Sequence, residues 1–278
     1  MLTSLVFTLT TEQPLTFPPH LGRASHAAFL RLVARSDPAL AEQLHVSNER
    51  RPFTCSTLWG LRRQGQSMVM EPGAPTFLRY TGLSAQVSRH LQRWAEEPPP
   101  TIELEGIALT VQQATLDPAS HPWAGQTGYE KLAAAHLLPA GHPDSRAELE
   151  FASATAFRSG GHIVPFPLPE LVYGGLLAKW NDFAPVAVSE EMRRFAGEVL
   201  VVSRYRLKTV AFRAKARSLQ IGFVGRCRYT ALNKDRYWLG VLQLLSEYAF
   251  YAGVGYQTTV GMGQARRAVE RRAQKGAR

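Results

Sequence analysis

Eleven residues near the C-terminus, Gly253-Val-Gly-Tyr-Gln-Thr-Thr-Val-Gly-Met-Gly263, constrain this chain more than any other segment. Two Gly-x-Gly pairs flank a polar Gln257-Thr258-Thr259 centre, so the backbone must take positive φ or lie close against something else. An Arg-rich tail follows, with Arg266, Arg267, Arg271, Arg272, Lys275 and Arg278. Glycines leave backbone N–H groups free to face an anion, and neighbouring cations point to a phosphate. The familiar nucleotide loops do not fit. A P-loop needs Lys-Ser or Lys-Thr after its last glycine, and Val254 to Met262 contain no Lys; the dinucleotide fingerprint fails because Thr258 stands three residues after Gly255. Taken alone, a glycine-rich turn near a C-terminus is more often structural than functional.

Charge says more. Residues 1–146 hold 12 Arg and Lys against 12 Asp and Glu, so the whole net charge of +10 belongs to residues 147–278. Residues 195–278 carry 16 basic and 4 acidic side chains, the footprint of a polyanion partner. Of the 32 basic residues 26 are Arg, whose planar fork matches phosphate oxygens and stacks on bases. Cys55 and Cys227 form neither a metal spacing nor a disulfide framework, which fits a reducing cytoplasm. Without a basic leader or a long apolar run, the expectation is a soluble, non-secreted protein with no membrane partner.

Taken in order, residues 3–10 alternate as a half-buried strand, Ala24 to Val33 has helical spacing, and Ser36-Asp37-Pro38 caps a short helix ending near Leu44-His45. Strands are expected at 52–58, 76–81 and 101–111, with a helix over 83–94. From about residue 117 prolines interrupt every pattern, which places a domain boundary within 115–147. The order then repeats: strand 149–157, helix 170–180, strands 199–209 and 220–229, helix 235–250, and a last strand 260–269. The reading is an α+β chain of two tandem ferredoxin-like (βαββαβ) domains, 1–130 and 147–278, with the glycine stretch between the final helix and final strand.

The glycine stretch, with Gln220-Ile-Gly-Phe-Val-Gly225, Leu149-Glu-Phe-Ala-Ser-Ala-Thr-Ala-Phe-Arg158, Pro165-Phe-Pro-Leu-Pro-Glu-Leu-Val172 and Trp180-Asn181, resembles the CRISPR repeat-processing endoribonucleases of the RAMP superfamily. The resemblance covers both halves in order. It implies cleavage of CRISPR precursor RNA within each repeat, without metal or other cofactor, leaving a 5′-hydroxyl and a 2′,3′-cyclic phosphate. Processed repeat RNA, other CRISPR interference proteins and a second copy of the chain are the further partners considered.

In that reaction the ribose 2′-OH attacks the adjacent phosphate, so a base, an acid and a cation are needed. Histidine, with an ordinary pKa near 6.5, suits both proton steps. By the resemblance, His45, in Leu40-Ala-Glu-Gln-Leu-His45 ahead of Arg50-Arg51-Pro-Phe, occupies the position of the catalytic histidine, as base or acid. Many members add a Tyr in the first helix or a Lys after the His; here the helix reads Phe29-Leu30-Arg31. His26, one turn earlier, could take the second proton role or simply pack on the helix. Arg50 and Arg51 are candidates to stabilise phosphorane charge. Arg213, Lys215 and Arg217 alternate along a strand and, with Arg226, Arg228 and Arg266, are candidates to track the RNA backbone, its contacts made salt-dependent by counterion release. Gly253, Gly255, Gly261 and Gly263 would let the chain approach RNA closely, Thr258 or Thr259 would donate to phosphate, and Tyr256 would stack on a base or fill the core. The missing Tyr and Lys also admit a second reading, a non-catalytic scaffold that binds repeat RNA. No metal-ligand spacing is present.

Overall fold

The computed structural model describes residues 1–46, 50–215 and 218–268. The first half runs β1 (Leu2–Thr10), β2 (Leu15–Phe17), α1 (Gly22–Ala34), α2 (Pro38–Val46), β3 (Phe53–Cys55), β4 (Arg62–Gln64), β5 (Ser67–Met70), β6 (Thr76–Gly82), α3 (Ala85–Glu96), β7 (Thr101–Leu104) and β8 (Ile107–Thr115). Alternation in β1 sends Leu5, Phe7 and Leu9 into a core with Phe29 and Leu32 of α1 and Val87 and Leu91 of α3. Asp37 Oδ1 accepts from Leu40 N at 2.9 Å and opens α2 beside Pro38; Ser84 caps α3 through Val87 N. The sheet order is β3-β6-β1-β8-β7 with antiparallel neighbours, the ferredoxin-like arrangement. One expected strand is two: residues 101–111 fold back at Glu105 (φ 50°) and Gly106 (φ 78°), and β7 pairs with β8 as a hairpin. The small β2-β5-β4 sheet was not anticipated, because runs of three or four residues are too short to show alternation.

The Pro-rich stretch is also more ordered than its composition indicates. It contains β9 (Gly125–Thr127), paired with β1, and α4 (Tyr129–Leu137), whose Tyr129 and Leu132 join the core of the second half.

That half runs β10 (Arg146–Thr155), β11 (Phe157–Ser159), β12 (His162–Val164), α5 (Pro169–Phe183), α6 (Met192–Glu198), β13 (Leu200–Lys215), β14 (Ser218–Ala231), α7 (Arg236–Ala252), a 3-10 turn (Thr258–Val260) and β15 (Ala265–Arg267). Its sheet, β13-β14-β10-β15, repeats the strand order of the first, so the fold is two ferredoxin-like units in tandem. Leu149, Phe151, Cys227 and Tyr229 face Leu242, Leu245 and Ala249 of α7. Asp235 caps α7, its Oδ1 accepting from Tyr237 N and Trp238 N. Among the described residues the last strand is shorter than expected: Val260 closes the 3-10 turn and Ala265–Arg267 pairs with β10. Arg217 and the tail arginines Arg271, Arg272 and Arg278 lie outside the described residues.

Candidate functional site

The glycine stretch is the joint between the halves. All four glycines have positive φ, from 62° at Gly253 to 92° at Gly261. Their close approaches are to the chain itself: a Cβ on Gly255 would meet Ala156 O at 2.3 Å, and one on Gly263 would meet Val254 O at 2.0 Å. The N–H groups expected to face an anion are satisfied internally, Gly253 N by Ala249 O, Gly261 N by Cys55 O and Gly263 N by Ala154 O. Gly253, Gly261 and Gly263 are buried as well, which corrects the reading of these glycines as a direct phosphate cradle. Gly261 bridges Ser56 beside β3, and Gly22 at the head of α1 touches Val260 so closely that a Cβ there would stand 1.8 Å from its carbonyl oxygen.

Beneath this joint Arg79 of β6 is fully buried. It donates to Ser4 Oγ at 2.8 Å, Trp123 O at 3.1 Å, Gln264 Oε1 at 2.5 Å and Phe250 O at 2.5 Å, and lies over the Trp123 and Phe250 rings. Burial pushes its pKa down to about 9. Gln264 Nε2 in turn reaches Cys55 O at 3.3 Å, so polar bonds as well as apolar packing hold the halves together.

Above the joint a cleft of about 590 Å³ is lined by Arg23, His26, Arg50, Arg51 and Phe53 of the first half, and by Lys179 and Gln257 to Val260 of the second. His26 Nδ1 lies 3.0 Å from Thr259 O, and His20 Nε2 lies 3.0 Å from Val260 O. A carbonyl only accepts, so the neutral His26 ring carries its proton on Nδ1 and keeps a lone pair on Nε2. The ring stacks on Phe53 at 5.5 Å. Burial lowers its pKa, and Arg51, His45 and Arg23 lower it further. His45 is exposed in the last turn of α2, near enough for its charge to act on His26. Arg51 ties the end of α2 down, donating to Leu44 O at 3.0 Å and His45 O at 3.2 Å. Arg50 forms an ion pair with Asp182 of α5, so its guanidinium is shared with a carboxylate in this structure. The structure therefore brings His26, Arg50 and Arg51 to one cleft and His45 beside it.

The basic candidates on the second sheet divide differently. Arg228 pairs with Glu148 at 2.7 Å, Arg266 with Glu150 at 3.0 Å and Arg226 with Glu150 at 3.7 Å; Arg266 also lies over Trp123. Cross-strand register sets these pairs, so the candidate backbone contacts Arg226, Arg228 and Arg266 each face a carboxylate in this structure. Beside them on β13, Arg204, Arg206 and Lys208 are exposed, and the register puts Arg204 opposite Arg228 and Arg206 opposite Arg226. Sequence reasoning missed these three, although their period of two is the signal that picked out Arg213 and Lys215 at the end of the same strand. Thr258 is buried with Oγ1 3.4 Å from Lys179 Nζ, and Thr259 serves His26 through its carbonyl. Tyr256 is half-buried, with its hydroxyl bonded to Gln220 and Arg158 over its ring. Lys179, Arg23 and Gln257 were likewise missed, since no spacing in the sequence joins them to the cleft. Among the described residues no three His, Cys, Asp or Glu side chains gather as a metal site, and no helix is long and apolar enough to cross a membrane.

This architecture has known relatives. Residues 1–134 match the CRISPR Cas6 N-terminal domain and residues 149–265 match the CRISPR-associated endoribonuclease Cas6. A product complex of Cas6 from Thermus thermophilus superposes with a TM-score of 0.76 at 26% identity, covering 96% of this chain and 100% of that one. A second Cas6 product complex gives 0.76 at 27% identity, covering 96% and 99%. A CRISPR-associated endoribonuclease Cas6 of Streptococcus thermophilus is 27% identical over 115 residues, 41% of this chain and 46% of that protein, so the match spans about half of that relative's length. Two family domains in order, on two ferredoxin-like units with the glycine stretch at their joint, lead to one assignment: the chain belongs to the Cas6 family of CRISPR-associated endoribonucleases.

Proposed function

We propose that this protein cleaves CRISPR precursor RNA within its repeats by metal-independent attack of a ribose 2′-OH, leaving a 5′-hydroxyl and a 2′,3′-cyclic phosphate. The observation that carries the reading is the cleft at the joint, where the Thr259 carbonyl holds the proton on His26 Nδ1 and so keeps Nε2 basic. His26 takes the 2′-OH proton as the 2′-oxygen bonds to phosphorus. The bond to the 5′-oxygen breaks, and His45 supplies the proton that this oxygen takes up. Arg51, with Arg50 once Asp182 yields to phosphate, offsets charge on the phosphorane, where a fixed cation acts more strongly than in water. Solved relatives bound to product and to a substrate mimic support repeat RNA as the ligand. The exposed Arg204, Arg206 and Lys208 form the track for the RNA backbone, Arg213, Lys215 and Arg217 following them in the sequence, and Gln257 and the Thr258–Val260 turn line the cleft.

The domain assignment that goes with this reading gives residues 1–130 the proton-transfer histidines and residues 147–278 the RNA-binding surface. The protein works in the cytoplasm, holding its processed RNA for other CRISPR interference proteins. Purified protein incubated with a repeat RNA in excess EDTA, beside the same RNA with 2′-deoxy at the scissile nucleotide, tests the chemistry. Cleavage in EDTA and none of the 2′-deoxy RNA is expected. Loss of cleavage in EDTA, or cleavage of the 2′-deoxy RNA, refutes the mechanism; tight binding without any cleavage leaves the scaffold.

A further inference from the structure

Lys179 belongs to α5 and takes no part in the steps above. Its ammonium lies in the floor of the cleft, donating to Ala252 O at 2.7 Å and Gly253 O at 3.0 Å, with Thr258 Oγ1 at 3.4 Å. Three N–H bonds meet three acceptors, so none is left to bind a phosphate. Ala252 and Gly253 end a 17-residue helix, where exposed carbonyls favour a positive charge, and Thr258 opens the turn that carries Thr259. The other end of the lysine is fixed: Tyr248 Oη donates to Lys179 O at 3.2 Å, and the neighbouring Trp180 is buried with its indole N–H on Val186 O at 2.8 Å.

We infer that Lys179 is a positioning residue for cleavage, holding the end of α7 and the Thr258–Val260 turn where the Thr259 carbonyl fixes the proton of His26 on Nδ1. The inference rests on His26 acting as the base. It explains a partly buried cation of the second half in a cleft whose proton-transfer groups come from the first. Asp182, three residues on in α5, is engaged by Arg50, and burial together with Arg50 brings the Lys179 pKa down to about 7. The ammonium is therefore held by carbonyls and a hydroxyl rather than by a carboxylate, which ties it to the geometry of this turn.

The test is Lys179→Met, which keeps the length of the side chain and removes the donors. Histidine ring nitrogen NMR on the full chain reads the His26 tautomer, while single-turnover cleavage and binding of a 2′-deoxy repeat RNA separate rate from affinity. In the wild type the His26 proton is expected on Nδ1. In the variant it should distribute to Nε2, and the cleavage rate should fall roughly ten- to a hundredfold while the RNA dissociation constant moves by less than about threefold. An unchanged tautomer with a rate within about twofold of wild type overturns the inference. If Lys179→Met does not fold, Thr258→Val removes a single acceptor and should shift the tautomer in the same direction; no shift overturns it equally. A wild type that binds but never cleaves refutes the proposed function, and the tautomer still decides the role of Lys179.

Discussion

Replacing Gly22 by Ala tests whether the joint governs the site, because it alters neither the glycine stretch nor any proposed catalytic group. Gly22 heads α1, where alanine is ordinarily better by up to about 1 kcal/mol. Here its Cβ would stand 1.8 Å from Val260 O, 2.4 Å from the carbonyl carbon and 2.7 Å from His20 Nε2. The turn must withdraw by roughly 1 Å or more to relieve that overlap, and bonds of 3.0 Å from His20 and His26 do not survive such a movement. Two lost bonds at about 1 kcal/mol each, with about 1–3 kcal/mol of overpacking, outweigh the helix gain. A net loss of about 2–4 kcal/mol should lower the melting temperature by about 5–15 °C, at about 2–4 °C per kcal/mol for a chain of this class. Single-turnover cleavage should fall with it, since His26 loses the carbonyl that fixes its tautomer. Gly141→Ala, at a position with open space around it, is the control and should change neither. Thermal unfolding and cleavage of both variants decide the matter: a Gly22→Ala protein that melts at or above the wild-type temperature and cleaves normally refutes the reasoning.

Removing either imidazole, by His26→Ala or His45→Ala, should reduce single-turnover cleavage about 10²- to 10⁴-fold with binding of 2′-deoxy RNA retained; a full rate in either variant removes that residue from the mechanism. Acid should destabilise the fold. Burial holds His20, His26, His90, His121 and His136 below the ordinary value, so the unfolded chain takes up protons that the native chain refuses, and stability is lost as pH falls through 6.5 toward their folded values. Melting at pH 7.5 and 5.5 checks the sign, and a higher melting temperature at 5.5 contradicts it. RNA affinity should fall linearly on a log–log plot against salt, and Arg206→Ala should flatten the slope by about 0.7, one phosphate contact to a single strand. An unchanged slope takes Arg206 off the track.

Periodicity and caps carried much of the fold. The alternation of β1, the apolar spacing of Leu239, Leu242 and Leu245 in α7, and the Asp37-Pro38 start of α2 are local signals, and local interactions settle those elements. The Glu105-Gly106 turn is local too, but both of its flanks read as strand, so periodicity alone does not mark it. The site was legible only in part. His26 and Arg51 could be named as candidates, but what anchors His26 in the cleft is a carbonyl 233 residues away from it, delivered by tertiary packing. The glycines showed that the backbone had to do something unusual. Whether the close neighbour was RNA or the protein depended on where β3, α1 and β10 pass, and composition is silent on that. Charge misled in a related way: Arg228 and Arg266 counted toward the basic half, while cross-strand register had already matched them to Glu148 and Glu150. Lys179 gave no signal, because a lone lysine becomes informative only when its acceptors are known.

The central claim is that cleavage occurs at the cleft above the joint. The most direct measurement is a structure of the full chain bound to repeat RNA carrying 2′-deoxy at the scissile nucleotide. The account predicts that the scissile phosphate sits in the cleft, with its 2′ position toward His26 Nε2, its 5′-oxygen toward His45 and its free oxygens toward Arg51. A scissile phosphate seated elsewhere, on the open face of the second sheet or away from both histidines, contradicts it.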